Sequence, residues 1–240
     1  MPLHPAAPED LDGLVAAYQQ TTQSLIDLGH TCSPSDFDLV TARPGWTVKD
    51  QIAHVVAGEP HHRASVAAPK VVEELRTVAD RRIRGLTEHP DTLAALRTDT
   101  IEAWVAEQDV RQALGRPGDL DSGGAALTME AVVQALPDVV LRRAGIEPGN
   151  AVILDVTGPV VGRAGVLVEA DESGTPQALE LFSGVAHEGT AEVATTSIVL
   201  STDALTRRAA GRVGVDELHY TVHGDEDVAR RVLEHIVVVG

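Results

Sequence analysis

Aromatic side chains are scarce: two Phe, two Tyr and two Trp make up 2% of the 240 residues. Packing therefore falls to Ala, Val and Leu. Cys32 is the only cysteine, which excludes an intramolecular disulfide and a cysteine-based zinc knuckle and fits a reducing cytoplasm. Basic residues are few, 19 against 36 acidic ones, for a net charge of −17. Nucleic-acid backbones and anionic membranes both need clustered Lys and Arg, so neither is expected as a partner. A small anionic substrate stays open, because a local pair of arginines binds one whatever the overall sign. The amino terminus "MPLHPAAPEDLDG" has no basic start and no apolar core, and the chain holds no run of about 18 apolar residues to span a bilayer. The expectation is a cytoplasmic protein. What is present is ordinary for a globular fold, with 43% hydrophobic and 23% charged residues. The length suffices for one large domain or two ordinary ones.

The apolar period changes once along the chain. From Pro8 to about Gly145 it is helical. "PEDLDGLVAAYQQTTQSLIDLG" has an acidic first turn and Gly29 as its stop, and "TVKDQIAHVVAG" opens on Thr47 with Asp50 three residues on, a capping box with the shorter acid. Gly58 and Pro60 end or bend that helix. Further helices are expected over "VVEELRTVADRRIRGL", from about Asp91 to Leu114, and from about Leu127 to Arg143, where Pro137 predicts a kink. Polar connections between such helices suggest an antiparallel four-helix bundle. After "GIEPGN" the runs "AVILDVTG", "AGVLVEAD", "QALELFSG" and "EVATTSIVLS" read as strands, and two short helices follow with "ELHYTVHG" as a strand between them. The chain is thus expected to be an α+β multidomain protein. Residues 1–147 form the helical bundle, and residues 148–240 a small α+β domain with helices on one face of a mostly antiparallel sheet.

Within "DTIEAWVAEQDVRQALG" the helical repeat puts Glu102, Ala106 and Asp109 on one stripe. A carboxylate facing a bundle interior needs a partner. His54, among Ile52, Val55 and Val56, is a candidate, because facing helices of a bundle build metal and acid/base sites from such pairs. Taken alone, a histidine in such a helix is as readily a hydrogen-bonded core or rim residue. Cys32 has no evident activating neighbour and is not expected to be a nucleophile. Trp46 and Trp104 read as core residues able to wall a pocket.

"RPGWTVKDQIAHVVAGE" and "EAWVAEQDVRQALGRP" resemble the two signatures of the DinB-like, mycothiol-dependent maleylpyruvate isomerase family. "IVLSTDALTRRAAGR" and "VHGDEDVARRVLEHI" are similar to that family's sterol-carrier-like carboxyl-terminal domain. The resemblance implies a divalent metal, usually zinc, on two histidines and one glutamate, with an open position for water or the thiolate of mycothiol, and isomerase or S-transferase chemistry. It makes His54 the first metal ligand and Glu102 the acidic one, and it places Ala106 where the second histidine would stand. A methyl group cannot coordinate. Of the possible replacements, Asp109 lies about 10 Å along the helix from Glu102, Glu107 points roughly 100° away from Ala106, and His61 and His62 follow Pro60, where the chain could turn back. Asp109 and Arg111 match a family Asp-x-Arg, read as support for the ligand helix. Arg212 matches an arginine near the substrate carboxylate, and as a residue alone reads equally as a surface arginine.

Three functions follow for a small, possibly anionic substrate. One is a thiol-dependent isomerase or S-transferase with an altered or lost metal site. Another is a metal-independent enzyme using His54 and Glu102 for acid/base chemistry, an isomerisation or cyclisation without a thiol. The last is a non-catalytic small-ligand binding protein. The assembly is expected to be a monomer or homodimer.

Overall fold

The computed structural model describes residues 6–57, 68–86, 93–182 and 193–239. They form an α+β protein with two compact units, residues 1–127 and 128–239.

The first unit is a helical bundle. Helices α1 (Leu11–His30) and α2 (Val48–Ala57) each pack against both α3 (Ala68–Leu86) and α4 (Leu93–Ala113). Helix α1 starts where the Asp10 carboxylate accepts the Gly13 N–H at 2.8 Å. Helix α2 starts on the expected capping box. The Asp50 carboxylate accepts the Thr47 N–H at 2.9 Å, and the Thr47 hydroxyl accepts the Asp50 N–H at 3.3 Å. Gly29 does not stop α1, which runs on through His30. It serves the packing instead, because a Cβ there would lie 2.7 Å from a Val72 methyl. The core joins Leu25, Ile26, Ile52, Val72, Leu75 and Val110 from all four helices.

Helix α5 (Gly123–Asp138) begins four residues earlier than its apolar pattern suggests. Ser122 caps it, its hydroxyl accepting the Ala125 N–H at 3.3 Å, and the two glycines that read as loop form its first turn. They allow close approach: a Cβ on Gly124 would sit 2.7 Å from the Trp104 indole and 2.9 Å from the Thr21 hydroxyl. Gly124→Ala is therefore expected to lose about 1–3 kcal/mol through overpacking, read as a lower denaturation midpoint. Pro137 lies inside α5, and the wider turn of Val139–Arg143 follows it, closed by the Ala144 N–H on the Val139 carbonyl at 2.7 Å. The irregularity expected at Pro137 is thus a π-type turn just beyond it. Gly123–Arg143 is the one helical stretch among the described residues with the length and hydropathy to cross a membrane. More than half of its most apolar window is buried in the protein, as in a core helix.

In the second unit, strands β1 (Asn150–Thr157), β2 (Gly162–Ala170), β3 (Pro176–Leu181), β4 (Ala194–Ser201) and β5 (Tyr220–His223) form one sheet in the order β3-β2-β1-β4-β5. Among the described residues only the β1–β4 pairing is parallel. Helix α6 (Thr202–Ala209) packs on β1 and β4, and α7 (Glu226–His235) on β4 and β5. Arg208 ties the two helices together, donating to the carbonyls of Leu233 at 2.8 Å and Glu234 at 2.7 Å.

Candidate functional site

The bundle holds a partly open cavity of about 280 Å³ to which all four helices contribute. Helix α2 supplies His54 with Val55, Val56 and Ala57, and α4 supplies Asp99, Glu102 and Ala103. Tyr18 comes from α1, and Val78 and Arg82 from α3. The two residues that the helical pattern marks for chemistry, His54 and Glu102, therefore line one cavity. His54 is 6% exposed and meets Trp46 edge to face, with ring centroids 5.4 Å apart at 80°. Trp46 is covered in turn by the Arg43 guanidinium, 3.9 Å from its centroid. This stack fixes one wall of the site.

Three polar groups here escaped the sequence reading. Asp99 precedes Glu102 by three residues and so shares its face. Its carboxylate holds the Arg82 guanidinium at 2.6 Å. Tyr18, which reads as one more member of the α1 apolar stripe, is buried on the cavity wall. Burial, then the nearby charge of Asp99, push its phenol up to about 12, so it remains a proton donor at neutral pH. The i,i+3 relation of Asp99 to Glu102 was legible in the sequence. The approach of Arg82 from another helix was not.

Among the described residues, a three-ligand metal site is not assembled. Ala106, one turn after Glu102, is a buried methyl, and no three His, Cys, Asp or Glu among the described residues are grouped to hold a metal. Two of the candidate replacements have other work. Asp109 is buried and accepts the Gln51 amide N–H at 2.6 Å, tying α4 to α2. Glu107 faces α1, where its Oε1 accepts from the Ser24 hydroxyl and the Arg111 Nε, both at 2.6 Å. His61 and His62 lie outside the described residues. Arg111 is thus a brace between α4 and α1, with its Nη2 also 2.8 Å from the Ser24 hydroxyl.

Glu107 is fully buried, and among the described residues its Oε2 has no hydrogen-bond partner. Burial pushes its carboxyl up from 4.5 to about 7, against the lowering effect of Ser24 and Arg111. An acid with a raised folded-state pKa makes the folded state bind more protons than the unfolded one, so stability falls as pH rises from about 4.5 to about 7. Glu107→Gln should remove that slope, on the order of 3 kcal/mol across the interval. The check is the difference between wild-type and variant unfolding free energies at pH 5 and pH 8.

Trp104 is core, its indole N–H donating to the Asp119 carbonyl at 3.1 Å. Cys32 donates to the Leu28 carbonyl at 3.2 Å, and burial raises its thiol pKa, contrary to what a nucleophile needs. Arg212 belongs to the second unit, half-buried on the turn after α6, where its Nη1 donates to the Ala210 carbonyl at 2.6 Å.

A helical bundle whose His54 and Glu102 line one cavity is thus joined in one chain to a small α+β unit. The family model described as the mycothiol maleylpyruvate isomerase N-terminal domain matches residues 5–145, and the chain belongs to that family. Two solved structures are similar, both of the mycothiol-dependent maleylpyruvate isomerase. One is a variant with a histidine replaced by alanine, at 14% identity and TM-score 0.47. The other is at 15% and 0.41, and both matches cover 89% of this chain and 93% of the other. No curated protein matches.

Proposed function

We propose that the protein is an isomerase or thiol S-transferase acting on a small unsaturated carboxylate, with mycothiol as the thiol and His54, in place of a metal, as the base. The observation that carries this reading is the meeting of His54 and Glu102 in one cavity whose remaining walls include Val55, Val56, Val78 and Ala103. Such walls suit the sulfur end of a thiol and a short conjugated chain. When bound, the thiol supplies a nucleophilic sulfur that can add to a conjugated double bond and leave it again, which permits rotation between the two events.

The residues do the rest. His54 accepts the thiol proton at an imidazole nitrogen and returns it when the sulfur departs. Glu102 shares the cavity and stabilises the imidazolium formed in between. Tyr18 offers a protonated hydroxyl to charge developing on a carbonyl oxygen. The side chains at 106 and 109 keep the helix in place and take no proton. The test is turnover of cis-configured unsaturated acids by chelator-treated protein with and without mycothiol. Conversion that requires the thiol supports the reading. Conversion indifferent to thiol would leave His54 and Glu102 acting directly on the substrate as acid and base.

A further inference from the structure

His54 is held from outside its own helix. Residues 43–46 form a tight turn in which the Trp46 N–H donates to the Arg43 carbonyl at 3.1 Å. Pro44 presets the second position of that turn, and Gly45, at φ 77°, supplies the left-handed conformation that the third requires. Such a turn brings its first and last residues together, and the Arg43 guanidinium accordingly lies 3.9 Å from the centre of the Trp46 ring. The end of the turn is pinned as well. The Trp46 carbonyl accepts the Thr41 N–H at 2.8 Å and the Thr41 hydroxyl at 3.1 Å. That hydroxyl accepts the Gln51 side-chain amide at 3.3 Å, and the same amide donates to Asp109 on α4 at 2.6 Å. Gln51 stands three residues before His54 on α2 and shares its face. Trp46 and His54, 7% and 6% exposed, then meet edge to face. The outer side-chain torsion of a histidine is intrinsically broad, and packing against a fixed ring narrows it.

We propose that the 43–46 turn is a clamp that sets the orientation of the His54 imidazole, with Trp46 as the positioning residue and Arg43, Thr41, Gln51 and Asp109 as its supports. Trp46 acts through His54 and not on the reactants. The inference rests on the functional reading above, which makes His54 the base, and adds what aims it. Aim matters because a proton passes only between groups within hydrogen-bond reach, and a misplacement of about 1 Å can cost on the order of 10²-fold in rate.

The experiment combines steady-state kinetics with NMR of the histidine rings in full-length protein. In wild type the His54 ring protons, identified by their loss in His54→Ala, should resonate away from the unstructured range, because the indole ring current reaches them. Trp46→Leu should return them towards that range and lower kcat by about 10–100-fold, with KM held within about twofold. Trp46→Phe keeps an aromatic ring and should recover most of kcat. Arg43→Met should lower kcat less, and Arg43→Lys, which keeps a cation on the indole, should recover it. A KM that rises in Trp46→Leu at constant kcat would make Trp46 a plain wall and overturn the proposal, as would His54 resonances that do not move. Should Trp46→Leu not fold, wild type and Arg43→Met decide: ring protons in the unstructured range, or kcat unaltered in Arg43→Met, overturn it. The two readings fail separately. A shifted ring that Trp46→Leu releases, in a protein without thiol-dependent turnover, refutes the reaction and keeps the clamp. Turnover lost in His54→Ala and intact in Trp46→Leu does the reverse.

Discussion

His54→Ala lowers kcat/KM for thiol-dependent conversion by about 10²–10⁴-fold, the contribution of a well-placed acid/base group. The loss falls on the chemistry more than on the fold. His54 touches the edge of Trp46 and the cavity wall, and the packing of α2 depends more on Val48, Ile52 and Ala53, all in the common core. Cooperative thermal unfolding is therefore retained. A general base also leaves a signature in pH, so the rising limb that its deprotonation gives the wild-type profile should vanish in the variant. Steady-state rates across pH 5–9 make the check, and an unchanged kcat/KM in His54→Ala would remove His54 from the mechanism.

Ala106→His converts the site to one that holds zinc. The added imidazole stands one turn after Glu102 on α4, on the face whose Glu102 lines the cavity with His54, and so completes three protein ligands. Zinc at a hundredfold excess over its dissociation constant should then stabilise the variant by about 2.7 kcal/mol, with no such gain in wild type. The double variant His54→Ala, Ala106→His should lose the gain, because two ligands remain. The measurement is the unfolding midpoint with EDTA and with zinc. Equal stabilisation of wild type and variant would mean that another group already supplies the third ligand.

Much of this site was legible before the fold. His54 and Glu102 stand out because polar side chains interrupt apolar helical stripes, and Thr47 with Asp50 announced the start of the helix that carries His54. Glu107 was read correctly as turned away from Ala106, since one residue rotates a helix by roughly 100°. Long-range partners were not legible. Nothing in "RTVADRR" says that Arg82 meets Asp99, or that Tyr18 sits against the same space, because those meetings depend on how three helices pack. The glycines misled for a related reason. Gly29, Gly123 and Gly124 look like helix breaks in isolation and are in fact places where Val72, Ala17 and Trp104 come too close for a side chain. In the second unit the alternating strands announced a sheet, while the parallel pairing of β1 with β4 is a matter of topology that local pattern does not encode.

The central claim is that His54 and its cavity act without a metal. It is tested most directly by the thiol-dependent rate of protein stripped of metal, measured before and after zinc is restored. The account predicts full activity in the stripped protein and no gain on adding zinc. A rate that collapses on stripping and returns in proportion to bound zinc would contradict it.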